Sequence, residues 1–267
     1  MTTDAAVASA PAVKAPSALL ALTELPRALT EFAALQVAMP FLMAGPRGDG
    51  HPVLVLPGFI TTDGSTAILR AYLRHLGYDV HGWELGRNLG PRAIGEKGEK
   101  LLARVQAIHD ETGRPVSLVG WSLGGVMARL AARRMPDAVR QVVTLGSPFA
   151  GDPRASTVWK LYERLSGQRI ADPATRAQLA EVATPPSVPA TAIFSRNDGI
   201  VAWQNCREDD GATSQSIEVR GSHTGLGVNP LVLHIVADRL AQREGEWRRF
   251  EPSRLARWAF PQTASMH

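Results

Sequence analysis

Residues 116–135, VSLVGWSLGGVMARLAARRM, join a short apolar run to a longer amphipathic one through the pentapeptide Gly-Trp-Ser-Leu-Gly at 120–124. The first four residues predict a buried strand. The residues from 123 to 134 carry apolar side chains at three- and four-residue spacing, which is typical of a helix. Ser122, in the turn between them, has two interpretations: a nucleophile at the tip of a strained turn, or a hydroxyl that caps the helix.

The rest of the chain alternates short apolar, β-branched runs with longer helical patterns. The runs predict strands at residues 53–56, 78–83, 116–119, 139–145, 190–194 and 215–219. The periodic stretches predict helices at residues 65–76, 94–112, 123–134 and 230–243. Because strands that alternate with helices pair in parallel, we expect an α/β fold with a mostly parallel central sheet of about six strands flanked by helices.

The 267 residues contain no long polar linker, so we expect one folded domain over residues 18–267. Residues 1–17 are rich in alanine and proline and predict a flexible N-terminal arm. Residues 18–45 predict a helical segment packed on the domain, and residues 150–189 are longer than a simple crossover, which predicts a small helical cap insertion. The N-terminus lacks the features of a secretory signal, so we expect a cytoplasmic, soluble protein, with peripheral membrane contact by residues 18–45 left open.

Composition excludes several classes of function. Cys206 is the single cysteine, so neither an internal disulfide nor a cysteine metal cluster can form. The net charge of +4 comes mainly from arginines near the 123–134 helix and the C-terminus, among them Arg129 and Arg239. No aromatic residues or reading motif accompany them, so we interpret them as solvated helix faces and expect no nucleic-acid partner. The oligomeric state stays open.

A serine hydroxyl needs a general base, and the base needs a group that fixes its tautomer. Two histidines follow Ser122 within the folded body. His234 lies among apolar residues in the middle of a predicted helix, where a packed or surface role is expected. His223 lies in the loop RGSHTGLG after the last predicted strand, and its glycines allow the backbone to approach a site closely. We therefore predict that His223 is the base.

The acid is predicted to be Asp198, which directly follows the 190–194 strand. Asn-Asp-Gly is also an ordinary turn sequence, so a simple β-turn is the alternative. Glu208, Asp209 and Asp210 are the nearest rivals, and their clustering favours a solvated position. The place of the acid after the penultimate strand and of the base after the last favours the site interpretation of Asp198.

An attacked carbonyl also needs hydrogen-bond donors for the negative charge on its oxygen. The backbone N–H of Leu123, next to the serine, is one candidate. The second is the N–H of Phe59, in the loop VLVLPGFITTDGS that follows the first predicted strand. Pro57-Gly58 in that loop also fits a plain turn.

These motifs together resemble the α/β-hydrolases of the bacterial lipase and esterase kind. They are LPGF at 56–59, GWSLGG at 120–125, TLGSPF at 144–149, the DGIV turn at Asp198 and GSHTGLG from Gly221, and they extend over residues 50–240. The resemblance implies a mixed sheet and hydrolysis of carboxylic esters through an acyl-enzyme, with no metal or organic cofactor. The form of its oxyanion loop suggests medium or longer acyl chains. Two departures are the Pro57-Gly58 pair, where many relatives have His-Gly, and the lack of two strands before residue 53.

Three aromatic residues are candidates for the walls of an acyl pocket: Trp159 and Tyr162 in the predicted cap, and Trp203 near the acid. Apolar residues at helical spacing fit a plain core equally well. The expected partner is a small-molecule or lipid ester. Acyl transfer and thioester hydrolysis use the same three residues and stay open as alternatives, as does a non-catalytic binding protein of this fold.

Overall fold

The computed structural model describes residues 13–254 and 257–261. Six strands form one sheet: β1 (Pro52–Leu56), β2 (Asp79–Gly82), β3 (Val116–Trp121), β4 (Val139–Leu145), β5 (Ala190–Phe194) and β6 (Ser214–Glu218). Their order is β2-β1-β3-β4-β5-β6, and every neighbouring pair is parallel. The predicted α/β class and strand number are confirmed. The implied mixed sheet is wrong, because no described strand runs antiparallel to its neighbours.

The helices are α1 (Ala18–Leu22), α2 (Glu24–Met43), α3 (Ala67–His75), α4 (Pro91–Ile94), α5 (Glu99–Thr112), α6 (Leu123–Arg134), α7 (Trp159–Ser166), α8 (Pro173–Ala183) and α9 (Pro230–Leu240). The predicted 94–112 helix instead starts at Glu99. Gly95 and Gly98 interrupt it with φ angles of +90° and +80°, which lie outside the helical region. A 3₁₀ turn at Asp63–Thr66 likewise precedes α3.

Both faces of the sheet are covered, so the inner strands β1 and β5 are buried at every position. On one face, Val55 and Val143 pack with residues of α2, α3 and α9, such as Leu35. On the other face, Leu54 and Leu118 pack with residues of α5 and α6. Neighbouring residues of one strand therefore belong to two different cores, which fixes the register of β1 and β3.

The two predicted additions to the core are helical. α1 and α2 precede β1, and α7 and α8 form the cap between β4 and β5. Asp172 lies at the N-cap of α8 and Pro173 at its first position, where proline is favoured. Residues 1–12 of the predicted arm lie outside the described residues. Among the helices that the structure describes, none is both long enough and apolar enough to cross a bilayer.

Two groups of charged residues differ from their sequence interpretation. Arg129 and Arg239, interpreted as parts of solvated helix faces, are 1% and 2% exposed. Glu208, interpreted as solvated, is buried and forms an ion pair with Arg129. Arg239 reaches Asp238 and the carbonyl oxygen of Arg248. These predictions are wrong because hydrogen-bonded partners compensate the buried charges: Glu208, 79 positions away, for Arg129, and neighbours along the chain for Arg239.

Candidate active site

Ser122 lies at a strained turn between β3 and α6. Its φ and ψ angles are 53° and −123°, a combination that L-residues rarely adopt, and its side chain makes no capping hydrogen bond to α6. Two glycines make the turn possible. A Cβ atom on Gly120 would lie 2.4 Å from the Cα of Gly125, and one on Gly124 would lie 2.5 Å from the carbonyl oxygen of Leu56. The capping interpretation of Ser122 therefore has no support in the geometry.

His223 reaches Ser122 from the loop after β6. Its Nε2 lies 2.9 Å from Ser122 Oγ, and its Nδ1 lies 2.6 Å from Asp198 Oδ2. The indole of Trp121 donates to the carbonyl oxygen of His223 over 3.1 Å and ties the base loop to β3. His234 lies in α9 with its ring against Phe250, 6.0 Å between centroids. The structure therefore brings His223, and not His234, to the serine.

Asp198 occupies the turn after β5 and is 3% exposed. Its Oδ1 accepts hydrogen bonds from the amides of Ile200 and Val201, each 2.8 Å long, while its Oδ2 faces His223. The turn and site interpretations of Asn-Asp-Gly are thus both satisfied, because one oxygen closes the turn and the other holds the imidazole. The rivals Asp209 and Asp210 are exposed.

The surroundings of His223 change its proton affinity. Burial lowers the pKa of His223, but the charge of Asp198, the hydrogen bond to it and the charge of Glu24 act in the opposite direction and leave the pKa above the ordinary histidine value. These carboxylates stabilise the imidazolium. A base with this environment can take a proton from Ser122 and hold the positive charge that results.

Phe59 and Leu123 flank the serine from two loops. A Cβ atom on Gly58 would lie 3.5 Å from Ser122 Cβ, which places the loop after β1 directly against Ser122. Neither the Phe59 amide nor the Leu123 amide donates to any residue that the structure describes. Both N–H groups are therefore free to bind an oxygen from outside the protein.

Asn88, which the sequence did not single out, holds the loop after β1 in place. Its side-chain amide donates to the carbonyl oxygen of Pro57 over 2.8 Å, and its backbone carbonyl oxygen accepts from the Ile60 amide over 2.7 Å. Asn88 is completely buried. These two bonds fix the backbone on either side of Phe59.

An apolar cavity of about 130 Å³ opens beside Ser122 and runs beneath the cap. Its walls include Phe59, Met127, Leu130, Trp159, Tyr162, Ile170, Leu179 and Val182. The Tyr162 hydroxyl donates to Gln168 over 2.7 Å, and burial raises the pKa of Tyr162 to about 12. Trp203 is not part of this wall, contrary to the sequence prediction. It stacks on Phe194 with 5.7 Å between the ring centroids, because its 3₁₀ turn directs it toward β5.

Glu24, at the start of α2, contacts the loops after β5 and β6 that carry Asp198 and His223, and it was not among the predicted site residues. Its Oε1 accepts from the amides of Gly199 and His223 over 2.8 and 3.1 Å, and its Oε2 accepts from the Thr224 amide over 2.8 Å. Burial raises the pKa of Glu24, but these amide hydrogen bonds outweigh it and leave the pKa below its ordinary value. The one sequence signal was a charged residue within an otherwise apolar segment.

Glu31, about two turns further along α2 and on the same face, accepts hydrogen bonds from the loop that carries His223. Its Oε1 accepts from the amide and the hydroxyl of Ser222, each over 2.7 Å, and its Oε2 accepts from the Asn229 side chain over 3.0 Å.

Among the described residues, no group of three or more histidine, cysteine or acidic side chains is arranged to hold a metal ion.

The parallel sheet and the strained serine turn after β3 define an α/β-hydrolase fold. A model of the PGAP1-like alpha/beta domain family matches residues 99–186, which include β3, α6 and most of the cap. A triacylglycerol lipase from Pseudarthrobacter phenanthrenivorans is 30% identical over 115 residues, which cover 40% of this chain and 36% of the lipase. The matched region thus spans about a third of the length of that relative.

Solved structures show the same fold. Aspergillus fumigatus lipase B matches with a TM-score of 0.56 and 19% identity over 73% of this chain and 53% of its own. The mature Bacillus licheniformis lipase BlEst2 matches with a TM-score of 0.55 and 18% identity over 74% of this chain and 94% of its own. The chain is therefore similar to lipases and esterases of the α/β-hydrolase fold.

Proposed function

We propose that this protein is a serine hydrolase that cleaves carboxylic esters, with lipid esters as the substrate class. The observation that carries the proposal is the hydrogen-bonded chain Ser122–His223–Asp198, which ends at the mouth of the apolar cavity. The similarity to a triacylglycerol lipase supports the lipid part of the proposal.

In this mechanism Ser122 Oγ attacks the ester carbonyl carbon while His223 Nε2 takes the hydroxyl proton. Asp198 keeps the proton on Nδ1 and stabilises the imidazolium. His223 then gives its proton to the departing alkoxide, so the alcohol leaves and an acyl-Ser122 ester remains. Water attacks that ester by the same route: His223 accepts a water proton, and the serine oxygen recovers it as the acid is released.

The negative oxygen of each tetrahedral intermediate would bind the amides of Phe59 and Leu123. Two preorganised donors in a water-poor site stabilise this charge more than water would, and loss of one such donor costs about 10²- to 10³-fold in rate. The Asn88 bonds around the Phe59 loop support this role, because they fix the amide before the substrate arrives.

The acyl chain would occupy the cavity between α6 and the cap. Its walls are formed mainly by apolar side chains, including Trp159 on α7 and Val182 on α8. A cavity of about 130 Å³ has room for a chain of several methylenes, so esters of medium length are the expected substrates.

The test is covalent labelling with a fluorophosphonate, joined to turnover of p-nitrophenyl esters from acetate to palmitate. Wild-type protein is expected to be labelled and to prefer a medium chain. Ser122→Ala is expected to lose labelling and nearly all turnover, while Ser187→Ala, at an exposed serine outside the site, keeps both. Labelling of the Ser122→Ala variant would contradict the assignment. Addition of an alcohol acceptor would show acyl transfer as a new ester product.

A further inference from the structure

The outward side of the N-terminal helices is apolar over its whole length. Leu19, Leu22, Leu25, Leu29, Val37 and Phe41 are each 68 to 81% exposed, and together they form what we call the outer apolar face. The opposite side of α2 is also apolar, since Leu35 and Leu42 are buried against the core. The outer apolar face is a contiguous exposed apolar patch on a helix that is already packed on the core through its other side, and such a patch is expected where a partner covers it.

No charged residue of α1 or α2 is exposed, and the structure describes every residue of both helices. The three charged residues, Glu24, Arg27 and Glu31, are directed at the catalytic loops. Arg27 donates to the Asn197 carbonyl oxygen over 2.6 Å and to Glu24 over 2.9 Å. The outer apolar face therefore has only Thr30 and Gln36 as exposed polar residues of α2.

Basic residues lie around this face. Lys14 precedes α1, Arg47 follows α2, and Arg220 precedes Gly221, which faces Glu31 of α2; all three basic residues are exposed. A second copy packed on the face would bring Lys14 and Arg47 against like charges at both ends of the helix, which is unfavourable. An anionic lipid surface instead offers apolar chains for the face and negative headgroups for its basic border.

We propose that α1–α2 docks in the plane of an anionic lipid surface through the outer apolar face. The twenty residues of α2 would lie along the surface for about 30 Å. Lys14, Arg47 and Arg220 meet the headgroups. This binding goes beyond the proposed ester hydrolysis and does not depend on it, because it uses none of the catalytic side chains.

The test is flotation of full-length protein with vesicles of phosphatidylcholine containing phosphatidylglycerol, and with vesicles of phosphatidylcholine alone. Wild type is expected to float with the anionic vesicles and more weakly with the neutral ones. The variant Leu25→Ser/Leu29→Ser/Val37→Ser/Phe41→Ser is expected to lose roughly tenfold or more in partitioning, because each buried apolar side chain contributes a substantial part of the affinity. Trp258→Ser, at a residue 79% exposed but outside the face, is the matched control.

Turnover of soluble p-nitrophenyl acetate reports folding and should be unchanged in the fourfold variant. Flotation of that variant at the wild-type level would overturn the proposal, as would wild type that stays at the bottom of the gradient. A wild-type dimer in sedimentation velocity that the fourfold substitution dissociates would assign the face to a second copy. Flotation without ester turnover would keep this proposal and reject the proposed function.

A second inference concerns Glu24 and comes from hydrogen bonds alone. One carboxylate accepts from Gly199, which adjoins Asp198, and from His223 and Thr224 in the base loop. Glu24 is 4% exposed, so water does not compete for these amides. The loop after β5, which carries Asp198 (the acid loop), and the loop after β6, which carries His223 (the base loop), are therefore joined through Glu24 of α2.

We infer that Glu24 is a positioning residue for His223 and Asp198 in the proposed ester hydrolysis, on which this inference rests. Glu24→Gln places an NH₂ group where an oxygen now accepts a backbone N–H, so at least one of the three bonds must break. Because a displacement of about 1 Å in a catalytic group can cost 10²-fold in rate, kcat is expected to fall about ten- to a hundredfold. KM should stay within about twofold, since Glu24 does not line the cavity.

The pH profile separates positioning from simple stability. The charged groups facing His223 are Asp198 from the acid loop and Glu24 from α2, with Arg27 beside Glu24. The acid limb of the kcat/KM profile is the fall in rate at low pH, where His223 becomes protonated. Removal of the Glu24 charge should move this limb to lower pH. Glu24→Asp keeps the charge and should leave the limb at its wild-type pH. Asp49→Asn, which removes a carboxylate that accepts a backbone amide before β1, is the control and should move neither kcat nor the limb.

Wild-type kcat with an unmoved limb in Glu24→Gln would overturn the inference. A lower kcat with an unmoved limb and an equal loss of thermal stability would show a structural role only. If Glu24→Gln does not fold, Glu24→Asp decides, because its shorter side chain withdraws the carboxylate from the three amides: a lower kcat with an unmoved limb supports the inference, and a wild-type kcat overturns it. Wild type that is not labelled by fluorophosphonate would reject the proposed function itself.

Discussion

Removal of Glu208 should be among the most damaging single changes outside the catalytic site. Arg129, on the helix that follows Ser122, forms an ion pair with Glu208, and the two side chains are 1% and 3% exposed. Arg129 also donates to the carbonyl oxygens of Val182 and Thr184 at the end of α8, and its guanidinium lies 3.9 Å above the Phe149 ring. Arg129 therefore joins α6 to the cap and to the loop before β6.

The size of the effect follows from the desolvation of the remaining charge. Loss of one member of a buried ion pair costs about 3 to 5 kcal/mol, because the other charge stays buried without compensation. In Glu208→Ala the α8 carbonyls still accept from Arg129, so we expect about 3 kcal/mol. Arg129→Met also leaves those carbonyls without a donor and should cost about 4 to 5 kcal/mol. The double variant should cost less than the sum of the two.

The measurement is urea unfolding at equilibrium, with thermal unfolding beside it. Glu208→Ala should lower the urea midpoint with an unchanged slope and lower the Tm by about 6 to 12 °C. The half-exposed pair Arg134–Glu181, with side chains 28% and 30% exposed, is the matched control, and its removal should cost less than about 1 kcal/mol. A loss below about 1 kcal/mol in Glu208→Ala, or strict additivity in the double variant, would refute the reasoning.

Three further outcomes concern the site. The raised pKa of His223 predicts that kcat/KM falls as the pH drops through a value above that of a free histidine, because only neutral His223 accepts a proton. Asp198→Asn should move this fall to lower pH and reduce kcat by about 10⁴-fold, as a pH-rate profile would show. Gly124→Ala should cost about 3 kcal/mol in urea unfolding and slow fluorophosphonate labelling, because its Cβ would lie 2.5 Å from a backbone oxygen. Trp159→Ala, in the cavity wall, should raise KM for medium-chain p-nitrophenyl esters more than for the acetate. Trp203→Ala, outside the cavity wall, should lower stability and leave the chain-length preference in the same ester series unchanged.

Elements with a local sequence pattern were predictable from the sequence. β4 and α6 begin and end at the predicted residues, because an apolar run and a three-to-four periodicity each report burial directly. The break before α5 was missed, since Gly95 and Gly98 act through positive φ angles that a hydrophobic pattern does not contain. The positions of Asp198 and His223 were predictable because loops after parallel strands meet at one edge of the sheet.

Residues whose role depends on a distant partner were not predictable. The acidic neighbours Asp209 and Asp210 favour a solvent-exposed position for Glu208. Nothing in residues 208–210 indicates that Arg129, 79 positions away, forms an ion pair with it. Trp203 lies close to Asp198 in sequence, but its 3₁₀ turn directs the ring toward Phe194 instead of the cavity. In both cases the direction of a side chain, and not its type, decides its function.

The N-terminal helices show how the two sides of one segment constrain each other. The loops after β5 and β6 present amide groups that need acceptors, and α2 supplies them through Glu24 and Glu31. Because every charged side chain of α1–α2 serves these loops or their anchors, none is left for the solvent side, and that side is apolar. A contact on the outer apolar face would therefore act on the same helix whose Glu24 and Glu31 accept hydrogen bonds from the loop that carries His223.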